Sequence, residues 1–236
     1  MIIFFGFYTP YFGLFIIAAI FSIVAQVRVS GTYNKYSKIR NTKGLTGAEV
    51  ARQMLERAGI YDVRIEQIGG NLTDHYDPSH KVLRLSSTVY GSTSVAALGV
   101  AAHETGHAIQ HAENYGFLWL RSAMVPMTRI GSNLSIPLVL IGLLISQNWG
   151  HTLILIGIAL FSIVVLFSVV TLPVEFDASR RALHMLEEQD YLHGAELSGA
   201  KKVLTAAAST YVAATAVAIV NLLRLLALAG GRGNRE

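Results

Sequence analysis

Charged side chains are absent from Met1 to Val27 and absent again from Gly131 to Val174. An apolar run of about 20 residues crosses the hydrocarbon core of a bilayer as one helix. The first run therefore predicts one span, with Thr9-Pro10 as an N-cap followed by proline at the first helical position. The second, at about forty residues, is long enough for two spans. The polar break Gln147-Asn148-Trp149-Gly150-His151 divides it into a hairpin. Val203 to Gly230 is a fourth candidate and carries Asn221 and Arg224. An arginine there can pair with a buried carboxylate or bind a substrate. Snorkelling to the interface is the simpler reading.

Between the runs the periodicity changes. Thr46-Gly47-Ala48-Glu49 is a capping-box pattern that opens a helix through Val50, Met54 and Leu55, ended by Gly59. Val63 to Ile68 alternates like a strand. Leu72–Tyr76 and Lys81–Leu85 predict a hairpin across Asp77-Pro78-Ser79. Ser94 to His111 lacks proline, is rich in alanine and carries Leu98, which predicts a helix weakened slightly by Gly99 and Gly106.

Composition agrees with the spans. The chain is 52% hydrophobic and 14% charged, against about 25% charged for a soluble domain. Lysine and arginine gather in the long loops: Arg28, Lys35, Lys38, Arg40, Lys43, Arg121 and Arg129, then Arg180, Arg181, Lys201 and Lys202. The positive-inside bias makes both loops cytoplasmic, although Arg232 and Arg235 in the tail run against it. A cleaved signal peptide would carry its basic residues before the apolar run. Here they follow it, which favours a retained anchor. With no cysteine there is no disulfide and no thiolate metal site. The net charge of +4 is the loop bias and needs no nucleic-acid partner.

The chemistry concentrates in His103-Glu104-Thr105-Gly106-His107. Histidines at i and i+4 share one helix face, about 6 Å apart along the axis, and can grip one metal ion. Glu104, one step round, can reach a metal-bound water without being a ligand. The uncharged flanks, Val100-Ala101-Ala102 and Ala108-Ile109, suit a buried zinc helix better than a surface helix with a chance cluster. A catalytic zinc needs a third protein ligand. His111 lies about 12 Å along the axis from His103, too far on a straight helix, and reads as a neighbour or interface residue. Glu175, in Leu172-Pro173-Val174-Glu175-Phe176-Asp177-Ala178-Ser179-Arg180-Arg181-Ala182, opens a helix just past the third span. Two spans separate it from His103, so both emerge on one membrane face. The alternative is an acidic residue stabilising a helix N-terminus. His184 is a weaker candidate, as an oxyanion donor, and fits only if its helix bends.

His-Glu-Thr-Gly-His-Ala-Ile-Gln-His followed by Leu-Pro-Val-Glu-Phe-Asp-Ala-Ser-Arg-Arg-Ala resembles the YugP-type bacterial membrane zinc metallopeptidases. Gly44-Leu45-Thr46-Gly47-Ala48-Glu49-Val50-Ala51 and Asp77-Pro78 ahead of Lys81-Val82-Leu83-Arg84-Leu85-Ser86 fit that family too, so the resemblance covers nearly the whole chain. More distantly the chain is similar to the HtpX-type and CAAX-prenyl membrane proteases. The resemblance implies metal ligands His103, His107 and Glu175, with Glu104 as general base and one Zn2+ per chain. It also implies a bacterial inner-membrane location, protein or peptide substrates and a lipid bilayer as surroundings. Those relatives commonly carry an aspartate four residues after the ligand glutamate, where it supports a histidine. This chain has Ser179 there, and Asp177 is expected to face elsewhere.

The resulting expectation is a mainly α membrane protein of about four transmembrane helices. A small α+β zincin-like (Glu-zincin) catalytic domain is built from the two loops on one membrane face. The parts are an N-terminal span at 1–27, a catalytic domain at 28–130 and a transmembrane hairpin at 131–172. A helix with the third ligand follows at 173–202, then a C-terminal span and tail at 203–236. The expected activity is a zinc-dependent endopeptidase. An inactive zinc-binding membrane scaffold and a zinc transporter are the alternatives. An intramembrane protease of the site-2 type would need an Asn-Pro-Asp-Gly or Leu-Asp-Gly ligand sequence, and neither is present.

Overall fold

A computed structural model describes residues 11–145 and 148–233. The chain runs α1 (Phe12–Tyr36), α2 (Gly47–Arg57), β1 (Arg64–Ile68), β2 (His75–Asp77), β3 (Val82–Ser86) and α3 (Ser87–Tyr90). It continues with α4 (Val95–Ala112), α5 (Gly116–Leu144), α6 (Asn148–Glu188) and α7 (Gly194–Gly233). Helices α1, α5, α6 and α7 are long and apolar enough to cross a membrane. The Thr9-Pro10 start of the first span, Gln147 of the loop and Arg235 of the tail lie outside the described residues.

Several boundaries move relative to the sequence reading. Asn148, Trp149, Gly150 and His151 belong to α6, so the helix has already begun within the expected loop. No new helix opens at Glu175, which lies inside the continuous α6. Pro173 is interior to it. A proline there removes one backbone hydrogen bond, and a helix with dozens of others runs through the gap. A turn at 189–193 separates α6 from α7, where Asp190 takes a positive φ of 65°.

The chain divides into two compact units. One comprises 1–24, 120–172 and 211–236. Its core holds Val139, Ile154, Ile158, Leu225 and Ala229. Arg224 lies with its guanidinium 4.6 Å from the Phe15 ring centroid and donates to Asn221 Oδ1 at 3.4 Å. This is a cation–π arrangement.

The other unit comprises 25–119 and 173–210. The capping box at α2 forms as the pattern predicts: Thr46 N donates to Glu49 Oε2 at 2.8 Å, and Glu49 N to Thr46 Oγ1 at 3.3 Å. The sheet order is β1-β3-β2. β2 and β3 are antiparallel with Tyr76 opposite Leu83, the predicted hairpin shifted slightly toward Asp77. β1 pairs parallel to β3, with Ile65 opposite Leu83. Helix α4 starts at Ser94, whose side chain accepts from Ala97 N. Its small residues let it enter two cores at once. Val95, Ala96, Leu98 and Ala102 face one, with Met54, Leu186 and Leu204. Ala97 and Ala101 face the other, with Leu83, Leu85 and Val89.

Candidate metal centre

Three side chains from α4 and α6 converge. His103 Nε2 lies 3.3 Å from Glu175 Oε2, and His107 Nε2 lies 3.7 Å from it. All three ligand atoms fall within 4.8 Å of one another. The two imidazoles stand edge to face, with centroids 4.8 Å apart. His107 and Glu175 are buried, and His103 is half-buried. The i, i+4 spacing supplies the two histidines from one face of α4. The carboxylate arrives because α4 and α6 touch backbone to backbone. A Cβ added at Gly106 would sit 2.8 Å from the Ala178 carbonyl oxygen.

Each imidazole is oriented from behind. His107 Nδ1 donates to Gln110 Oε1 at 3.0 Å. Gln110 is fully buried, and its Nε2 donates to Val174 O and to Asp177 Oδ2, both at 2.9 Å. Those two acceptors fix which way the amide points. The amide oxygen can only accept, so Nδ1 carries the proton and Nε2 turns its lone pair toward Glu175. His103 Nδ1 lies 3.1 Å from Ser179 Oγ. Burial pushes the His107 pKa down. The bond that a protonated Nε2 would donate to the Glu175 carboxylate and the charges of Glu104 and Glu175 outweigh it and hold the pKa above the ordinary value.

The chain of bonds continues outward. Asp177, itself buried, accepts from Arg180 and from Arg181 Nε, the latter at 2.5 Å. Arg181 also donates to Glu113 Oε2 at 2.6 Å. The expectation that Asp177 faces away from His103 holds, but Asp177 reaches His107 through Gln110. Sequence reasoning passed over Gln110. The only signal was its place three residues after His107, one helical turn on.

Glu104 is half-buried beside His103. His111 is not in the converging group. Its Nδ1 meets the Tyr76 hydroxyl at 2.8 Å. His184 pairs with Glu188 at 3.2 Å and is two-thirds exposed. It lines an open cleft of about 480 Å³ with Ile109, Glu113, Arg180 and Arg181, and none of the three converging residues lines that cleft.

The donor set suits zinc. Imidazole nitrogen and carboxylate oxygen bind Zn2+ at about 2.0–2.2 Å, which puts neighbouring ligands of a tetrahedron about 3.3 Å apart. The separations from Glu175 Oε2, 3.3 Å and 3.7 Å, lie at and slightly above that edge, and all three ligand atoms fall within 4.8 Å of one another. Three protein donors leave a fourth position, as in catalytic rather than structural zinc sites.

Residues 11–230 match the family described as "Putative neutral zinc metallopeptidase", and the chain belongs to that family. It is 46% identical over 205 residues to the "Putative membrane protease YugP" of Bacillus subtilis (strain 168). That match covers 87% of this chain and 90% of the relative. No solved structure matches the chain.

Proposed function

We propose that this member of the neutral zinc metallopeptidase family is a membrane-embedded, zinc-dependent endopeptidase. His103, His107 and Glu175 hold one zinc ion per chain, and Glu104 is the general base. The observation that carries the reading is the meeting of two oriented imidazoles and a buried carboxylate within 4.8 Å.

Zinc bound there supplies Lewis acidity, polarising the scissile carbonyl and easing deprotonation of water. The chain's own residues do the rest. Glu104 takes the proton from the attacking water as its oxygen bonds to the carbonyl carbon. Glu104 then delivers that proton to the departing nitrogen as the C–N bond breaks. Gln110 and Ser179 keep both Nε2 atoms aimed inward, a service that typically matters 10–100-fold in metal affinity. The loops carrying these residues lie on the cytoplasmic face of a bacterial inner membrane, following the lysine and arginine bias. The sheet and α4 make up a Glu-zincin-like catalytic domain over 28–130.

The test is zinc content and casein hydrolysis measured together on detergent-purified wild type, Glu104→Gln and Glu175→Ala. The reading expects about one zinc per wild-type chain, as one site gives. Glu104→Gln keeps the zinc and loses hydrolysis, while Glu175→Ala loses or weakens both. Zinc unchanged in Glu175→Ala removes Glu175 from the ligand set. Hydrolysis unchanged in Glu104→Gln removes the base.

A further inference from the structure

The charge-free stretch of α6 ends at Val174, and the helix runs on to Glu188. Arg180 and Arg181 follow Val174 within two turns. Side chains on a helix lean toward its N-terminus, which on α6 is the side of the apolar stretch. Both arginines do so. Each reaches back to Asp177, Arg180 through Nη2 and Arg181 through Nε. Their guanidinium groups therefore stand near the level of Asp177, about 4–5 Å along the axis past Val174. The headgroup layer of a bilayer is about 5–8 Å deep on each side of the hydrocarbon core.

The aromatic side chains beside the arginines mark the same depth. The Arg181 guanidinium lies 5.9 Å from the Tyr115 ring centroid. Trp119 follows Tyr115 by one turn, its N–H donating to the Tyr115 carbonyl oxygen at 3.1 Å, and is 71% exposed. Tyrosine and tryptophan gather at headgroup level. On α6, Phe176 precedes Arg180 by one turn on the same face, nearer the apolar stretch, and is 46% exposed.

The two arginines differ in what they have left to give. Arg181 is engaged by Asp177, by Glu113 and by the Tyr115 ring. Glu113, the acid that lines the cleft described above, is thereby answered. Arg180 spends one nitrogen on Asp177, and its side chain is 79% exposed. Among the described residues its other guanidinium N–H groups have no hydrogen-bond partner. It lines the same cleft, of about 480 Å³, together with the apolar Ile109 and Met185. A free guanidinium with an exposed phenylalanine on its membrane side matches an amphiphile that carries an anionic group. A small soluble anion would make no use of Phe176.

We propose that this cleft holds the headgroup of a phospholipid, its phosphate oxygens accepting from Arg180 and its chains lying along Phe176. Arginine binds phosphate through charge-assisted hydrogen bonds. Basic pockets beside membrane spans suit lipid headgroups for the same reason. The contact requires no metal, so it stands or falls apart from the peptidase reading.

The experiment uses the full-length detergent-purified wild type, Arg180→Gln, Arg180→Lys and Arg64→Gln. Each is titrated with phosphatidylglycerol and with diacylglycerol, which lacks the phosphate, and bound lipid is counted by native mass spectrometry. Arg64 is an exposed arginine on β1 outside the cleft, so its variant matches the change in net charge. The expected result is a tight phosphatidylglycerol in the wild type, at least about fivefold weaker in Arg180→Gln. Arg64→Gln binds as the wild type does, and Arg180→Lys recovers part of the loss. Diacylglycerol binds no more tightly to the wild type than to Arg180→Gln. Equal phosphatidylglycerol affinity in Arg180→Gln and wild type overturns the proposal, and so does an equal loss in Arg64→Gln. Diacylglycerol held as tightly as phosphatidylglycerol would show that the chains alone bind. Inorganic phosphate that displaces the lipid better than chloride of equal ionic strength would make this a site for soluble phosphate, and that too overturns it.

Discussion

Gly106→Ala sets two physical effects against each other. Alanine favours an interior helical position over glycine by about 0.8–1.0 kcal/mol. On an isolated helix the substitution stabilises. Here the new Cβ would stand 2.8 Å from the Ala178 carbonyl oxygen and 3.3 Å from Ala178 Cα. Both are backbone atoms, so no side chain can rotate away. Restoring an ordinary contact of 3.4 Å needs a displacement of about 0.6 Å. Ala178 is one turn from Glu175 on the same helix, so the displacement is passed to the carboxylate. Metal–ligand distances tolerate about 0.2 Å. The shift exceeds that threefold and pulls Glu175 away from both histidines. The expected outcome is zinc affinity at least about tenfold weaker, the range seen when the support of a metal ligand is disturbed. The metal-free protein melts at a temperature no higher than wild type. The assay is a competition titration of the purified protein against a chromophoric zinc chelator, with thermal unfolding of the metal-free form alongside. Undiminished zinc affinity with a raised melting temperature would refute the reasoning. It would show that the interhelix contact yields without moving Glu175.

Three further outcomes follow from the same structure. Gln110→Leu removes the acceptor that holds His107 Nδ1–H and leaves Asp177 short of a donor; zinc affinity should fall about 10–100-fold, checked by the same titration. Asp77 donors, Arg84 first and then His80, hold its carboxyl well below the usual carboxylate range. A depressed folded-state pKa stabilises above the unfolded value near 3.9 and loses that effect as pH falls. Thermal melts of wild type and Asp77→Asn should therefore differ above about pH 4 and converge in acid, and a gap that widens in acid has the sign wrong. Thr46→Ala breaks the capping box on α2 and should cost about 1 kcal/mol in denaturant unfolding, whereas Thr46→Ser should cost much less.

What could be read in advance was local. The charge-free runs, the capping box and the His-Glu-x-x-His spacing are each written in contiguous residues, and each appears as an element of the structure. Glu175 was legible at longer range because counting spans restricts which loops can meet. The structure brings it to both histidines. Other features depend on how surfaces interlock. The parallel pairing of β1 with β3 is one, since alternation reveals a strand and says nothing of its neighbour. The Gln110–Asp177 bond is another, formed only because Gly106 lets two helices close on each other. The helix expected to open at Glu175 is instead the continuation of α6, which carries Pro173 within a long run of backbone bonds. Ser179 stood where relatives suggested an aspartate, and its hydroxyl does reach His103 Nδ1.

The bonds behind His107 run from a dry end to a wet one. Gln110 has no exposed surface, while the Arg180 side chain is 79% exposed and Glu113 55%. Dissolved ions screen charges at the wet end, over about 10 Å at 0.1 M ionic strength, and scarcely touch the dry end. A buried imidazole is thereby tied to the composition of the surrounding solution. Salt that loosens the arginines from Asp177 leaves that carboxylate leaning harder on the Gln110 amide, which in turn is held more firmly against His107. The grip on a metal at this site should thus shift with ionic strength, through groups that lie away from the metal itself.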